Sequence, residues 1–470
     1  MIKNEVKEGT VIAIGMNGEG ILKEEGKVVF VPFTLVGEKI KYKVLKVSSG
    51  VVYGKVLEVL TPADERIRPK CPVFGKCGGC QLQHVKYANQ LKIKEDKVAT
   101  CFKKIAFLNI KVYPTVKGDN EFGYRNKLQL PVSTDSEGNN IIGFYAENSH
   151  RVIPVDDCPI NPVWTANIIK GFKEYMSVTN IKGYNEFTKT GEIREIAVKE
   201  IKGKLLITVV SVKDFLPDKD ALIEILKDNV KYTFSLYLNV NNSDDNVIYG
   251  EKFIHLYGSK YYSADMLGIK YRIGVQSFMQ VNNCVCAKLY STVVALAEAN
   301  ENTTVIDAYS GAGLMTAMLA KHAKKAIGIE IVPEAVNLAN DLKVQNGLSE
   351  KIINYQGKCE EILPDIISKE KQNGEKTVLV LDPPRKGCDI NVIQAIKESA
   401  PDKIIYVSCK PSTLARDVGL IVGTLKIDKN EVKKSETPIY QYEINSVRPF
   451  DMFAQTKHVE TVVCMTKIQA

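Results

Sequence analysis

The sequence predicts a multidomain α/β protein: an N-terminal β-barrel, a central α+β insert and a C-terminal Rossmann-like core. Three observations carry this. Short β-rich runs broken by glycine fill residues 9–60, and alternating strand patterns recur between 121 and 272. From about Gly274 buried strands alternate with helical stretches, the pattern of a parallel sheet wrapped by helices. At 470 residues the chain exceeds what one core supports, so several domains are required. They are expected at 1–60, 61–272 and 273–470.

The totals narrow the class. Hydrophobic content of 45% and charged content of 25% are those of a globular protein, and no run of about 18 apolar residues marks a membrane helix. Residues 1–8 have no apolar signal core, so a cytoplasmic location is expected. A net charge of +8 permits a polyanionic partner without establishing one. With no export signal, the 11 cysteines point to metal ligation or catalysis rather than disulfides.

In the first domain the runs at 9–15, 27–32, 37–44 and 51–56 have the length and spacing of barrel strands. Lysines alternate with apolar residues from Lys39 to Lys46, giving one basic face that suits either solvent or RNA. Residues 61–70, polar with two prolines, read as a linker.

Next comes Cys71-Pro72-Val73-Phe74-Gly75-Lys76-Cys77-Gly78-Gly79-Cys80, with a fourth cysteine far downstream in Asp157-Cys158-Pro159. Four thiolates suit a tetrahedral zinc or an iron–sulfur cluster. A zinc ribbon wants two Cys-x2-Cys pairs and this chain has one, so the spacing favours the cluster. Cys101, Cys284, Cys286, Cys359, Cys388 and Cys464 lack such company and read as buried small hydrophobes. Gln81 to about Lys104 reads as a solvated basic helix, and Arg125 and Lys127 as exposed strand charges.

In the last domain Phe278-Met279-Gln280-Val281-Asn282-Asn283 opens a helical stretch. Thr303–Ala308 is a buried strand feeding the turn Tyr309-Ser310-Gly311-Ala312-Gly313, and Ala326–Glu330 is a second strand ending in an acid. Glycines let a ligand approach the backbone, and an acid about 20 residues on accepts from ribose hydroxyls. A dinucleotide site wants a third glycine where Thr316 stands, so a ligand without pyrophosphate, such as S-adenosylmethionine, fits better. Thr377–Leu381 leads into Asp382-Pro383-Pro384-Arg385, where prolines stiffen the loop holding the carboxylate. Ile404–Ser408 delivers Cys409 to a strand end, followed by Lys410-Pro411 and a helix. The helix N-terminus and Lys410 are both expected to favour the thiolate, making Cys409 a candidate nucleophile. Glu460 opens an apolar final strand, where burial would raise its pKa and suit proton transfer.

Taken together, the four cysteines, Phe278–Asn282, Asp307–Gly313, Asp382–Arg385, Ser408–Pro411 with Arg416-Asp417, and His458–Glu460 resemble the RNA uracil-5 methyltransferases, in particular the iron–sulfur 23S rRNA type. The barrel, with its Gly18–Gly20 turn and Gly37-Glu38 step, resembles a TRAM domain. The resemblance implies Cys409 as nucleophile, Glu460 as general base, and Gln280, Tyr309, Glu330 and Asp382 as S-adenosylmethionine-binding positions. It further implies a [4Fe–4S] cluster on Cys71, Cys77, Cys80 and Cys158, a monomer acting on RNA, and a segment near 89–120 packed on the catalytic domain. Two departures are Lys410, where Asn is common, and Lys358, where a residue meeting adenine is expected. The resemblance implies 23S rRNA as the target, with tRNA as the alternative. A non-catalytic RNA-binding protein is the rival from another class, opposed by the intact Cys409, Asp382 and Glu460. A radical S-adenosylmethionine enzyme would want Cys-x3-Cys-x2-Cys, which Cys71 and Cys77 do not match.

Overall fold

The computed structural model describes residues 1–429 and 431–468. Strands β1 (Val6–Thr10), β2 (Ala13–Ile14), β3 (Gly20–Glu24), β4 (Lys27–Val31), β5 (Lys39–Ser48) and β6 (Val51–Thr61) form one sheet in the order β1-β5-β6-β4-β3-β2. It coils around Leu22, Val29, Ile40, Tyr42 and Val52, and bonds from the Ile12 N–H to the Ile21 carbonyl and the Gly37 N–H to the Val11 carbonyl draw its ends together. In β5 Ile40, Tyr42 and Val44 are buried while Lys39, Lys41 and Lys46 are exposed, so the two-residue period produces a basic outer row.

The stretch read as a linker is pinned to this barrel. Glu38 is fully buried, and a buried carboxylate needs a cation. Arg66 supplies it, with Nη2 donating to Glu38 Oε2 at 2.8 Å and to the Phe33 carbonyl at 2.8 Å.

Helix α1 (Tyr87–Cys101) runs into a π-helical turn over Phe102–Ala106. It is not the solvated basic helix its lysines suggest. Lys94 is only 1% exposed; its ammonium meets the Asp451 carboxylate, which is 0% exposed, and donates to the Phe453 carbonyl at 3.0 Å. The Tyr87 hydroxyl donates to the other Asp451 oxygen at 2.8 Å. Val98, Cys101, Phe102 and Ala106 pack in one core with Ile306, Leu379 and Ile404.

A second sheet contains β7 (Lys127–Thr134), β8 (Asn140–Tyr145), β9 (Val152–Pro154), β10 (Ile193–Ile201), β11 (Lys204–Ser211), β12 (Thr233–Val240) and β13 (Lys252–Tyr257), ordered β13-β12-β11-β10-β7-β8-β9. Its ladders are antiparallel except β11–β12. Helices α2 (Trp164–Thr179) and α3 (Lys219–Val230) share its core. The hairpin β14 (Tyr262–Met266) and β15 (Ile269–Ile273) spans the units: Tyr262 and Ile273 pack with Leu206 and Tyr237, while Ile269 packs with Ala317 and Leu342.

Helix α4 (Asn283–Ala297) begins later than Phe278, because Asn282 caps it with Oδ1 accepting from the Val285 N–H at 3.2 Å. Then follow β16 (Thr303–Ala308), α5 (Leu314–Ala320), β17 (Lys325–Glu330), α6 (Pro333–Gln345), β18 (Ile352–Gln356), α7 (Cys359–Gln372), β19 (Lys376–Leu381), α8 (Ile390–Ser399), β20 (Lys403–Ser408) and α9 (Pro411–Val422). The ribbon β21 (Leu425–Asp428) and β22 (Glu431–Lys434) precedes the last strands, β23 (Tyr442–Phe450) and β24 (Glu460–Lys467). The sheet order is β18-β17-β16-β19-β20-β24-β23, with the first five strands parallel and β24 antiparallel to both neighbours. Strand order reverses between β16 and β19, so a ligand crevice is expected at their carboxyl ends. Cys101, Cys286, Cys359, Cys388 and Cys464 are buried as expected, and Cys284 is half-buried. Among the described residues no helix is long and apolar enough to cross a membrane.

Removing one partner of the Lys94–Asp451 pair leaves an uncompensated buried charge, so Lys94→Met should destabilise the chain by about 3 kcal/mol. A chemical denaturation midpoint measures this; a midpoint equal to that of the parent chain would deny the pair its structural role.

Candidate active site

A cavity of about 210 Å³ lies at the reversal point, walled by Gln280, Asp307, Tyr309, Gly311, Asp382 and Val407 among others. The turn after β16 is unusual. Tyr309 adopts a left-handed conformation with φ 69°, and the N–H groups of Tyr309 and Ser310 both donate to the Ile329 carbonyl at 3.0 Å. Gly313 has φ 79°, and a Cβ there would sit 2.8 Å from that of Ala339, so glycine lets α6 approach. Glu330 stands beside the cavity rather than in its wall. Its carboxylate accepts from the Gly311 N–H at 3.0 Å and the Val332 N–H at 2.9 Å, which locks the turn. Phe278 and Gln280 come from the coil before α4, and Phe278 is 81% exposed at the mouth. Lys358 faces solvent and pairs with Glu361 at 3.1 Å; it is not in the cavity wall.

Three acids lie near one another, Asp307 and Asp382 in the cavity wall and Glu460 outside it. Burial pushes Asp307 up to about 7, although Thr316 Oγ1 donates to it at 2.6 Å. Burial also pushes Asp382 up to about 7. Its side chain has accessible surface, but that surface opens on the cleft and is ringed by protein. Glu460 is 5% exposed and rises to about 8, through burial first and the charge of Asp382 second, against the pull of Arg385.

The antiparallel register brings the candidate pair together. Ser408 of β20 faces Thr461 of β24, so Cys409 and Glu460 stand across from each other one step beyond. The thiol is half-buried and its pKa is raised, by burial and then by Glu460. This corrects the expectation of a thiolate favoured by the helix N-terminus and Lys410. Lys410 is exposed, and the cation that lowers the thiol's pKa is Arg385, through its charge and a hydrogen bond. Arg385 lay inside a recognised motif, yet only the folded loop reveals what it touches. That loop is stapled to α9. Asp417 accepts from the Tyr406 hydroxyl at 2.6 Å and the Cys388 N–H at 2.9 Å, while Arg416 Nη2 donates to the Lys386 carbonyl at 3.0 Å.

A second cavity, about 170 Å³, is lined by all four of Cys71, Cys77, Cys80 and Cys158, together with Arg125 and Asn161. The Cys77 N–H donates to the Val73 carbonyl at 3.0 Å and the Cys71 N–H to Gln83 Oε1 at 3.1 Å, which curls the loop. Burial raises Cys80 to about 11 and Cys158 to about 12. Arg125, read as an exposed strand charge, lines this cavity instead. Among the described residues no three His, Cys, Asp or Glu side chains close on a single-ion point.

The switched parallel sheet, the glycine turn and the acids at its strand ends define a methyltransferase of the Rossmann-like class. Residues 86–468 match the family model described as tRNA (uracil-5-)-methyltransferase, and the chain belongs to that family. It is thus an S-adenosylmethionine-dependent RNA methyltransferase of the uracil-5 class. An uncharacterized RNA methyltransferase of Clostridium acetobutylicum is 37% identical over 99% of this chain and 98% of its own length. One from Halalkalibacterium halodurans is 36% identical over 98% and 97%. The Pyrococcus abyssi tRNA (uracil-54, C5)-methyltransferase, solved with S-adenosyl-L-homocysteine, shares the fold with a TM-score of 0.74 and 24% identity over 98% of this chain and 99% of that one.

Replacing Arg385 by Gln removes the cation that holds the thiol down. Its pKa should climb further, and alkylation of the Cys409 peptide by iodoacetamide should slow near neutrality. Peptide mass spectrometry reads the rate, and an unchanged rate would disprove the contact.

Proposed function

We propose that the chain methylates carbon 5 of a specific uridine in RNA through a transient bond between Cys409 and carbon 6 of the base. The observation that carries this is the apposition of Cys409 and Glu460 beside the acid-lined cavity. S-adenosylmethionine supplies a methyl group on a cationic sulfonium, and the acidic walls suit that cation. Gln280, Tyr309 and Asp382 would hold it, with Glu330 fixing the turn beneath.

Carbon 5 of uracil is a weak nucleophile while its electrons are conjugated. The Cys409 sulfur, deprotonated with Arg385 nearby, adds to carbon 6 and leaves an enolate across carbons 4 and 5. Carbon 5 then takes the methyl group by displacement. Glu460, as carboxylate, removes the carbon 5 proton, and the electron pair re-forms the double bond as the Cys409 thiolate leaves. The base must leave its stack to reach this pocket. The lysine row of the N-terminal barrel, read as a TRAM-like RNA-binding unit, would meet phosphates.

The cysteine cavity fits a [4Fe–4S] cluster. Four thiols line one cavity of about 170 Å³, and the chain has one Cys-x2-Cys pair where a zinc ribbon wants two. Asn161 Nδ2 is buried there without a hydrogen-bond partner, a donor suited to a cluster sulfide. Iron bound there would draw the four thiols to thiolates and tie Cys158 to the 71–80 loop. The scheme above contains no electron transfer, so the group's role is structural or RNA-positioning.

The proposed target is 23S rRNA, acted on by a monomer in the cytoplasm. A tRNA target is the second reading, favoured by the description of the matched family and by the substrate in the Pyrococcus abyssi structure's name. Mapping 5-methyluridine in both RNA pools of a deletion strain decides between them.

Cys409→Ala should abolish transfer while S-adenosylmethionine still binds; residual turnover would end the covalent scheme. Glu460→Gln should accumulate a protein–RNA adduct that survives denaturant, seen as a shifted gel band, and no band would remove Glu460 as the base. At saturating S-adenosylmethionine the parental rate should climb with pH to about 8, where Glu460 becomes the carboxylate. A rate that fell over that range would contradict the assignment.

A further inference from the structure

The coil that carries Phe278 and Gln280 into the cavity enters from outside the Rossmann-like core, between β15 and α4. Three of its carbonyls converge on one side chain of the other sheet. The Lys199 ammonium of β10 donates to Ser277 at 2.5 Å, Val275 at 2.6 Å and Gly274 at 3.4 Å. Lys199 is 6% exposed, and its three protons match the three acceptors. Asn126 makes a second clamp further on, with its N–H donating to the Val281 carbonyl at 2.9 Å and Nδ2 to Asn283 Oδ1 at 2.7 Å.

Among the described residues no carboxylate pairs with Lys199. Opposite it stand Lys127 on β7 and Leu206 on β11, and the coil offers only carbonyls. Glu195, further along β10, acts on Lys127. A buried ammonium without a carboxylate is costly unless several oxygens replace its water. An apolar residue would pack there at less cost, so the charge has a use in holding the coil.

We propose that Lys199 is a positioning residue for the cofactor site: its ammonium ties the 274–278 coil to the central sheet and so fixes Phe278 and Gln280 against the cavity. This rests on the reading of that cavity as the S-adenosylmethionine site. The tie depends on a proton. Burial and Lys127 push the Lys199 pKa down to about 7. Above that pH the neutral amine has two donors for three carbonyls, and the coil loosens.

S-adenosylhomocysteine is the probe: its sulfur is uncharged, and ionisation of Asp307, Asp382 and Glu460 in the same range would tighten the hold on its ammonium group as pH rises, opposite in sign to the loss through Lys199. Titration calorimetry on the full chain between about pH 6 and about pH 9 should show the dissociation constant rising about tenfold with pH. Lys199→Met should bind about tenfold more weakly near pH 6 and lose the pH slope, while Lys199→Arg, which keeps charge and donors, stays within about threefold of the parent there. Lys199→Gln serves the same comparison if the methionine variant does not fold. A pH-independent parent overturns the proposal, as does a Lys199→Met chain that binds like the parent or binds weakly with the parental slope. No binding by the parent would remove the site reading, and the proposal with it; binding that Lys199→Met leaves unchanged removes the proposal alone.

Discussion

The site depends on a strand running the wrong way. Had β24 been parallel to β20 like its neighbours, its last residue would have met Cys409; running opposite, it presents its first, Glu460. One register slip would turn the carboxylate to the other face. The chain between β23 and β24 must therefore be held firmly, and its bonds show how. Asp451 is locked by Lys94 and Tyr87. Gln455 sits in the left-handed region at φ 70°, a conformation costing about 1 kcal/mol or more for a non-glycine residue. Its side chain and N–H exchange bonds with Gln90 at 2.9 and 3.1 Å, which offsets that strain.

The same loop ties the two cavities together. The N–H groups of Gln81 and Leu82, directly after Cys80, both donate to the Gln455 carbonyl at 3.2 and 3.0 Å. The Tyr124 hydroxyl donates to the Ala454 carbonyl at 3.0 Å, and the next residue, Arg125, lines the cysteine cavity. The cysteine loop and the approach to Glu460 are one hydrogen-bonded unit.

The parts legible in the sequence were those written locally. A β-branched run ending in Tyr-Ser-Gly-Ala-Gly, or in Asp-Pro-Pro, announces a strand end and its turn, and both flank the cavity. The thiols at 71, 77, 80 and 158 share one cavity because the glycines between them let the backbone curl. The parts that escaped depend on partners far along the chain. Lys94 looks like any helix lysine until Asp451 arrives, and nothing near Lys199 announces three carbonyls from the 274–277 coil. The thiol's environment is hidden for the same reason: the helix N-terminus is adjacent in sequence, whereas the opposing Glu460 and the helpful Arg385 come from other segments.

The three acids complete the electrostatic argument. Asp307 and Glu460 hold their protons to about 7 and 8 because they are buried and lie near the charge of Asp382, which itself holds a proton to about 7 where its exposed surface opens only on the protein-ringed cleft. A cleft of this kind cannot carry three negative charges alone; it needs either protons or a cation, and Arg385 is shared between the thiol and Glu460. On the proposed reading the sulfonium answers the charge of Asp307 and Asp382 when it binds, while Glu460 becomes the carboxylate as the pH nears about 8. Methyl transfer then extinguishes that positive charge, and the pocket recovers its affinity for protons. Glu460 is thus at its most basic after the methyl group has moved, when carbon 5 has a proton to give up, and the neutral sulfide loses the attraction that held its precursor. Burial of the acids would in this way time both proton removal and product release.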